Sequence, residues 1–183
     1  IINEKNLDAI ILTSMQNIAY YSGFLYCSFG RAYACVVTSE TSTVVSANID
    51  AGQPGRRCYG NNLIYTDWER NNYLKAIISL LKKVKRVGVE NDHLTLERHK
   101  NLKDVLGKSE LIDISSSVML KRIIKSKEEI SLIKSGAKIA DIGAEALVKE
   151  IKVGASEIDI AMVGRDATEK AIAKFHPNSE LRD

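Results

Sequence analysis

The stretch LDAIILTSMQNIAYYSGF, residues 7–24, decides the architecture. Its first part, residues 7–13 (LDAIILT), is a compact apolar run of the length expected for a buried strand. The pattern then changes. Polar Asn17 and the break at Gly23 mark residues 15–24 as a short helix and turn. Working outward, residues 32–38 (AYACVVT) and 43–47 (TVVSA) are strand-like and flank Ser39, Glu40, Thr41 and Ser42, which reads as a hairpin. Residues 63–66 add a short strand. Leu74, Ile77, Ile78 and Leu81 then recur at helical spacing. Residues 86–90 (RVGVE) return to strand, residues 94–106 are helical with Leu102, Val105 and Leu106 on one side, and residues 110–114 (ELIDI) are a last strand. Strands alternating with helices define an α/β domain, a mixed β-sheet flanked by helices.

After Ile114 the character changes. Ser126 followed by Glu129 has capping-box form. Ile130, Ile133, Ala137, Ala140, Ala144, Leu147 and Ile151 recur at steps of three or four, giving one long amphipathic helix that Gly154 stops. Ser156 restarts a second, with Ile158, Ala161, Ala171, Ile172 and Phe175 on its apolar face and Pro177 beyond its end. No strand follows. Residues 1–122 are therefore expected to form the α/β domain, and residues 123–183 a linker and the first helices of a second domain.

Of the 183 residues, 45% are hydrophobic and 27% charged, a globular balance. The net charge of +3 is spread out, and no basic cluster interleaves with aromatics, so nucleic acid is not an expected partner. No apolar run reaches the roughly 20 residues of a membrane helix. Three cysteines, Cys27, Cys35 and Cys58, without CxxC spacing argue against a disulfide framework or a zinc site, and a reducing cytoplasm fits them.

Motifs for hydrolysis or nucleotide binding are absent: there is no GxSxG, no P-loop and no GxGxxG. His93 lies in a polar turn and is expected to be structural. His99 lies on an exposed helix, and His176 at a helix end. The unusual segment is residues 20–31, YYSGFLYCSFGR, with five aromatics, two glycines and a terminal arginine. Two readings stand. Either the aromatics are core and Arg31 pairs with an internal acid, or the segment caps a pocket in which Arg31 offers its planar fork to a carboxylate. A second segment, NIDAGQPGRR at residues 48–57, is a tight turn ending in the basic pair Arg56 and Arg57. It is either solvated or an anion-facing or interface loop.

These segments carry a resemblance. FLYCSFGR (24–31), SANIDAGQPGRR (46–57), IYTDWERNNY (64–73), RVGVENDHL (86–94) and KRIIKSKEEISLIKSGAKIADIG (121–143) are similar to the creatinase family, of the pita-bread superfamily that includes prolidase and aminopeptidase P. The relatives share only the NxxYxSGF feature (17–24) and the IKSxEEI feature (124–130).

The resemblance implies a homodimeric hydrolase that converts creatine to sarcosine and urea, with a smaller amino-terminal α/β domain and a larger pita-bread catalytic domain. It implies that Phe29 packs against creatine, or a related small carboxylate-bearing guanidine, and that Arg31 binds the carboxylate. It implies no metal and no cofactor. The family's general base and guanidinium-binding glutamates belong to the pita-bread domain, so no residue of this chain is expected to be catalytic. Ala32, Ala51 and Gly55 depart from the family, Gly55 standing where creatinases have Trp. The alternatives are a fragment of a prolidase-like hydrolase and a stand-alone dimerisation or carboxylate-binding domain.

Overall fold

The computed structural model describes residues 1–26, 30–50, 52–69 and 71–179. Two compact units divide at Ile123 and Ile124.

The first unit is built on a six-stranded sheet. Its strands are β1 (Ala9–Leu12), β2 (Ala34–Thr38), β3 (Ser42–Ala47), β4 (Asn61–Tyr65), β5 (Arg86–Val89) and β6 (Glu110–Asp113), in the order β4-β3-β2-β1-β5-β6. β2 is antiparallel to both β1 and β3, while β3–β4, β1–β5 and β5–β6 are parallel. Only β2 therefore runs against the other five. The residues that precede β2 share one edge of the sheet with those that follow the other strands. In open α/β sheets that edge is where loops gather to bind ligands.

The helices of this unit are α1 (Ile2–Lys5), α2 (Met15–Ser22), α3 (Pro54–Arg57), α4 (Asn72–Leu80), α5 (Leu96–Leu106) and α6 (Ser115–Ile123). All four residues of β1 are buried, as its unbroken apolar run requires of a strand covered on both faces. α2 starts at Ser14, whose hydroxyl accepts from the Asn17 backbone N–H. It ends at Gly23 in the left-handed region, where a Cβ would meet the Tyr59 ring. Leu74, Ile77 and Leu81 bury the face of α4 that the helical spacing marks. α6 was not expected: residues 115–122 fell inside the first domain without an assigned element. Of its apolar residues Val118, Met119, Leu120 and Ile123, only Val118 is buried.

The second unit contains α7 (Lys127–Glu150) and α8 (Glu157–Phe175). Ser126 and Glu129 form the expected capping box, and Ser156 caps α8. The packed faces differ from the expected stripes. α7 meets α8 through Ile139, Gly143 and Leu147, opposite Gly164, Thr168 and Ala171, while Ile130, Ile133 and Ile158 are exposed. Glycine sets this register: a Cβ on Gly143 would strike the Thr168 hydroxyl, and one on Gly164 would lie 3.2 Å from the Leu147 Cβ. His176 Nε2 hydrogen-bonds the Ser135 hydroxyl at 2.6 Å and closes this helix pair.

Among the described residues, no helix is long and apolar enough to cross a membrane.

Candidate functional site

The short segment that leads into β2 is held from three sides. The Tyr65 hydroxyl, at the end of β4, donates to the Ala32 carbonyl at 2.9 Å. The Tyr73 hydroxyl, on α4, donates to the Tyr33 carbonyl at 3.1 Å. The Tyr33 hydroxyl donates to Asp50 in the turn after β3. Below these contacts, Tyr26 and Tyr33 stack with ring centroids 4.1 Å apart, and Phe24 lies beside both. Phe24 and Tyr26 are core residues, so for them the core reading of the aromatic segment holds. Gly30 precedes the pinned segment with φ +76°, a conformation that favours glycine.

Arg31 projects from this anchored backbone. Its Nε lies 2.7 Å from Asp67 Oδ2, and the two side chains are 46% and 52% exposed. Arg31 thus pairs with an acid, but Asp67 is at the surface and is not internal. The pair sits in a cleft of about 390 Å³ whose walls include Gly30, Tyr65, Asn72 and Arg98. Burial raises the Tyr65 phenol above its ordinary range, and the Asp67 charge adds to this against the opposing pull of Arg31 and Arg98. Tyr65 is therefore a neutral hydrogen-bond donor at physiological pH. Glu69, also on the rim, is paired with Lys75. Phe29, the other residue expected to contact substrate, lies outside the described residues.

A second cluster lies at the same edge of the sheet. Glu90 follows β5 and is 1% exposed. One carboxylate oxygen accepts from the backbone N–H groups of Thr13 and Ser14, the second from the Ser14 hydroxyl and the Asn17 side-chain amide. Burial alone would raise its carboxyl, but these bonds outweigh it and hold the group below its ordinary value. Asn17 in turn accepts from Arg122, and His93 Nδ1 lies 3.0 Å from the Thr13 hydroxyl. His93 is thus a hydrogen-bonded partner of this structural knot.

The basic pair falls on α3, where Arg56 is exposed. A Cβ on Gly55 would meet nothing within 4 Å, so this departure from the family leaves an open position. Ala51 lies outside the described residues.

The cleft brings Arg31 and Arg98 together with the carboxylates of Asp67, Glu69 and Glu97. Burial pushes the thiols of Cys35 and Cys58 up, away from a reactive thiolate. Among the described residues, no three His, Cys, Asp or Glu side chains converge to hold a metal ion. Asp67 and Glu90 were not singled out by sequence. The partners of Arg31 and Glu90 lie 36 and 73–77 residues away along the chain, beyond any local pattern. The usable signal was topological: Glu90 and Thr13 follow the parallel neighbours β5 and β1.

A mixed sheet with one reversed strand and helices on its faces defines this unit as an α/β domain. The chain belongs to the creatinase/prolidase N-terminal domain family, whose model matches residues 1–124. It is 49% identical to a creatinase from a Bacillus species over 184 residues, covering 98% of this chain and 45% of that protein. It is 27% identical to a putative dipeptidase of Bacillus subtilis over 165 residues, covering 87% of this chain and 45% of that protein. In fold it matches the prolidase of Pyrococcus horikoshii with a TM-score of 0.73 at 21% identity, over 92% of this chain and 46% of the prolidase. It also matches the X-Pro aminopeptidase of Thermotoga maritima with a TM-score of 0.74 at 20% identity, over 91% of this chain and 47% of that enzyme. The chain thus spans somewhat under half the length of these relatives.

Proposed function

We propose that this chain is the substrate-clamping and dimer-forming part of a creatinase, a hydrolase that converts creatine to sarcosine and urea. In this reading residues 1–122 are the amino-terminal domain, and residues 123–183 lead into a pita-bread domain that carries the hydrolytic residues. Arg31 binds the creatine carboxylate, Phe29 packs against the substrate, and the domain serves a neighbouring subunit of a homodimer. The protein works in the cytoplasm and needs no metal or cofactor.

The observation that carries this reading is the contrast in likeness: about half of the residues match a creatinase, against about a quarter for the dipeptidase. The structure supplies a compatible device, an arginine on a backbone pinned by two tyrosine hydroxyls and facing a solvent-open cleft. Guanidinium is the side chain best shaped to take a carboxylate with two parallel bonds. The peptidase relatives favour a second reading, a prolidase-like hydrolase.

One experiment separates the two. The protein expressed from its full reading frame is offered creatine and, separately, an Xaa-Pro dipeptide with manganese or cobalt. Urea from creatine without proline release is the expected result. Proline release without urea overturns the creatinase reading in favour of the peptidase one.

A further inference from the structure

We infer that Asp67 is a positioning residue for Arg31, pairing with its guanidinium at Nε so that the group is held in the cleft where the carboxylate of the substrate binds. This rests on the proposal that Arg31 is the carboxylate contact.

The segment YTDW spans residues 65–68. It engages the stretch around Arg31 twice. Tyr65 holds the backbone through the Ala32 carbonyl, and two residues on, Asp67 holds the side chain through Nε. Asp67 is an ion-pair partner of Arg31. A carboxylate can approach a guanidinium along the Nε–Nη edge or along the two Nη groups. Asp67 pairs at Nε without the in-line N–H···O geometry of a bidentate fork, so it restrains Arg31 while the guanidinium keeps its capacity to take a second carboxylate. An arginine half exposed to water otherwise samples many rotamers, and substrate must pay that ordering on binding. The Tyr65 hydroxyl donates from a buried position, which anchors the backbone end of the clamp.

The sign of the effect distinguishes positioning from simple electrostatics. Asp67 is an anion beside a site for an anion. If charge were all that mattered, removing it would tighten binding of creatine. At half exposure that repulsion is screened, whereas the loss of orientation is not. Orientation therefore wins, and removal weakens binding.

The test is steady-state urea release from creatine by the full-reading-frame protein and its variants Asp67→Asn, Asp67→Glu, Arg31→Ala and Asp67→Asn/Arg31→Ala. Asp67→Asn is expected to raise KM about ten-fold while kcat stays within about two-fold, since modest misplacement of a binding group costs this much. Asp67→Glu recovers part of the loss. In the Arg31→Ala background Asp67→Asn adds nothing, because both act through one contact. An unchanged or lowered KM for Asp67→Asn, or an equal loss in the Arg31→Ala background, overturns the inference while leaving Arg31 in its role. An unchanged KM for Arg31→Ala overturns the clamp itself, and this inference with it.

Discussion

Replacing Glu90 by Gln tests how the loop edge of the sheet is held together. The substitution keeps the shape of the side chain and removes its charge. In the native protein the two carboxylate oxygens accept from five donors: the backbone N–H groups of Thr13 and Ser14, the Ser14 hydroxyl, the Asn17 amide and, at 3.4 Å, the Thr13 hydroxyl. A glutamine has one acceptor oxygen and an NH₂ that faces two of these donors. If the oxygen faces Thr13 and Ser14, the NH₂ confronts the Ser14 hydroxyl and the Asn17 amide. The hydroxyl can turn and accept. Asn17 cannot flip without cost, because its Oδ1 already accepts from Arg122 at 3.0 Å. One buried donor is then left unpaired, at about 1–3 kcal/mol, and the surviving bonds lose charge assistance. The expected loss is about 3 kcal/mol, or a fall in Tm of about 10 °C for a chain of this size. The pH dependence has a definite sign. The Glu90 carboxyl is held below its unfolded value, so its contribution is complete above the ordinary carboxylate range and is lost as pH falls through the folded value. Urea denaturation followed by circular dichroism should show a stability gap between wild type and variant that is constant from pH 6 to 8 and narrows below about pH 4. A gap below about 1 kcal/mol at pH 7, or one that does not narrow in acid, would refute the reasoning.

Two further substitutions probe backbone and cap. Gly60 has φ +91°, and a Cβ there would run into the Ser42 carbonyl oxygen. Gly60→Ala should therefore lower stability by at least about 2 kcal/mol in the same denaturation assay, and a loss below about 0.5 kcal/mol would contradict this. Ser126→Ala removes one arm of the capping box on α7, worth about 1 kcal/mol locally. Amide hydrogen exchange in the first turn of α7 should accelerate several-fold, with Ser126→Thr close to wild type.

The sequence spelled out elements whose signals are local. Strand β1, the β2–β3 hairpin, α4 and the two long helices each carry a clear period or cap, and all form. What it hid was relational. α6 is short and buries only Val118 of its apolar residues, so its pattern gives little local signal. The contact face of α7 is set by Gly143 approaching α8, and a pattern of large apolar residues does not report a face chosen for smallness. At the candidate site, Arg31 stood out through its aromatic surroundings. Asp67 and Tyr65 gain their meaning only when β4 is laid beside β3 and the segment before β2 returns to the same edge. Glu90 ends the strand segment RVGVE, and nothing local to it reports that donors following the neighbouring parallel strand bury its carboxylate.

The central claim is that Arg31 holds a substrate carboxylate. Its most direct test compares wild type and Arg31→Ala for creatine turnover, with both made from the full reading frame. A charge-assisted contact of this kind is worth about 2–3 kcal/mol, so KM for creatine should rise about 30- to 100-fold in Arg31→Ala. A KM within about two-fold of wild type, less than about 0.5 kcal/mol, would contradict the account.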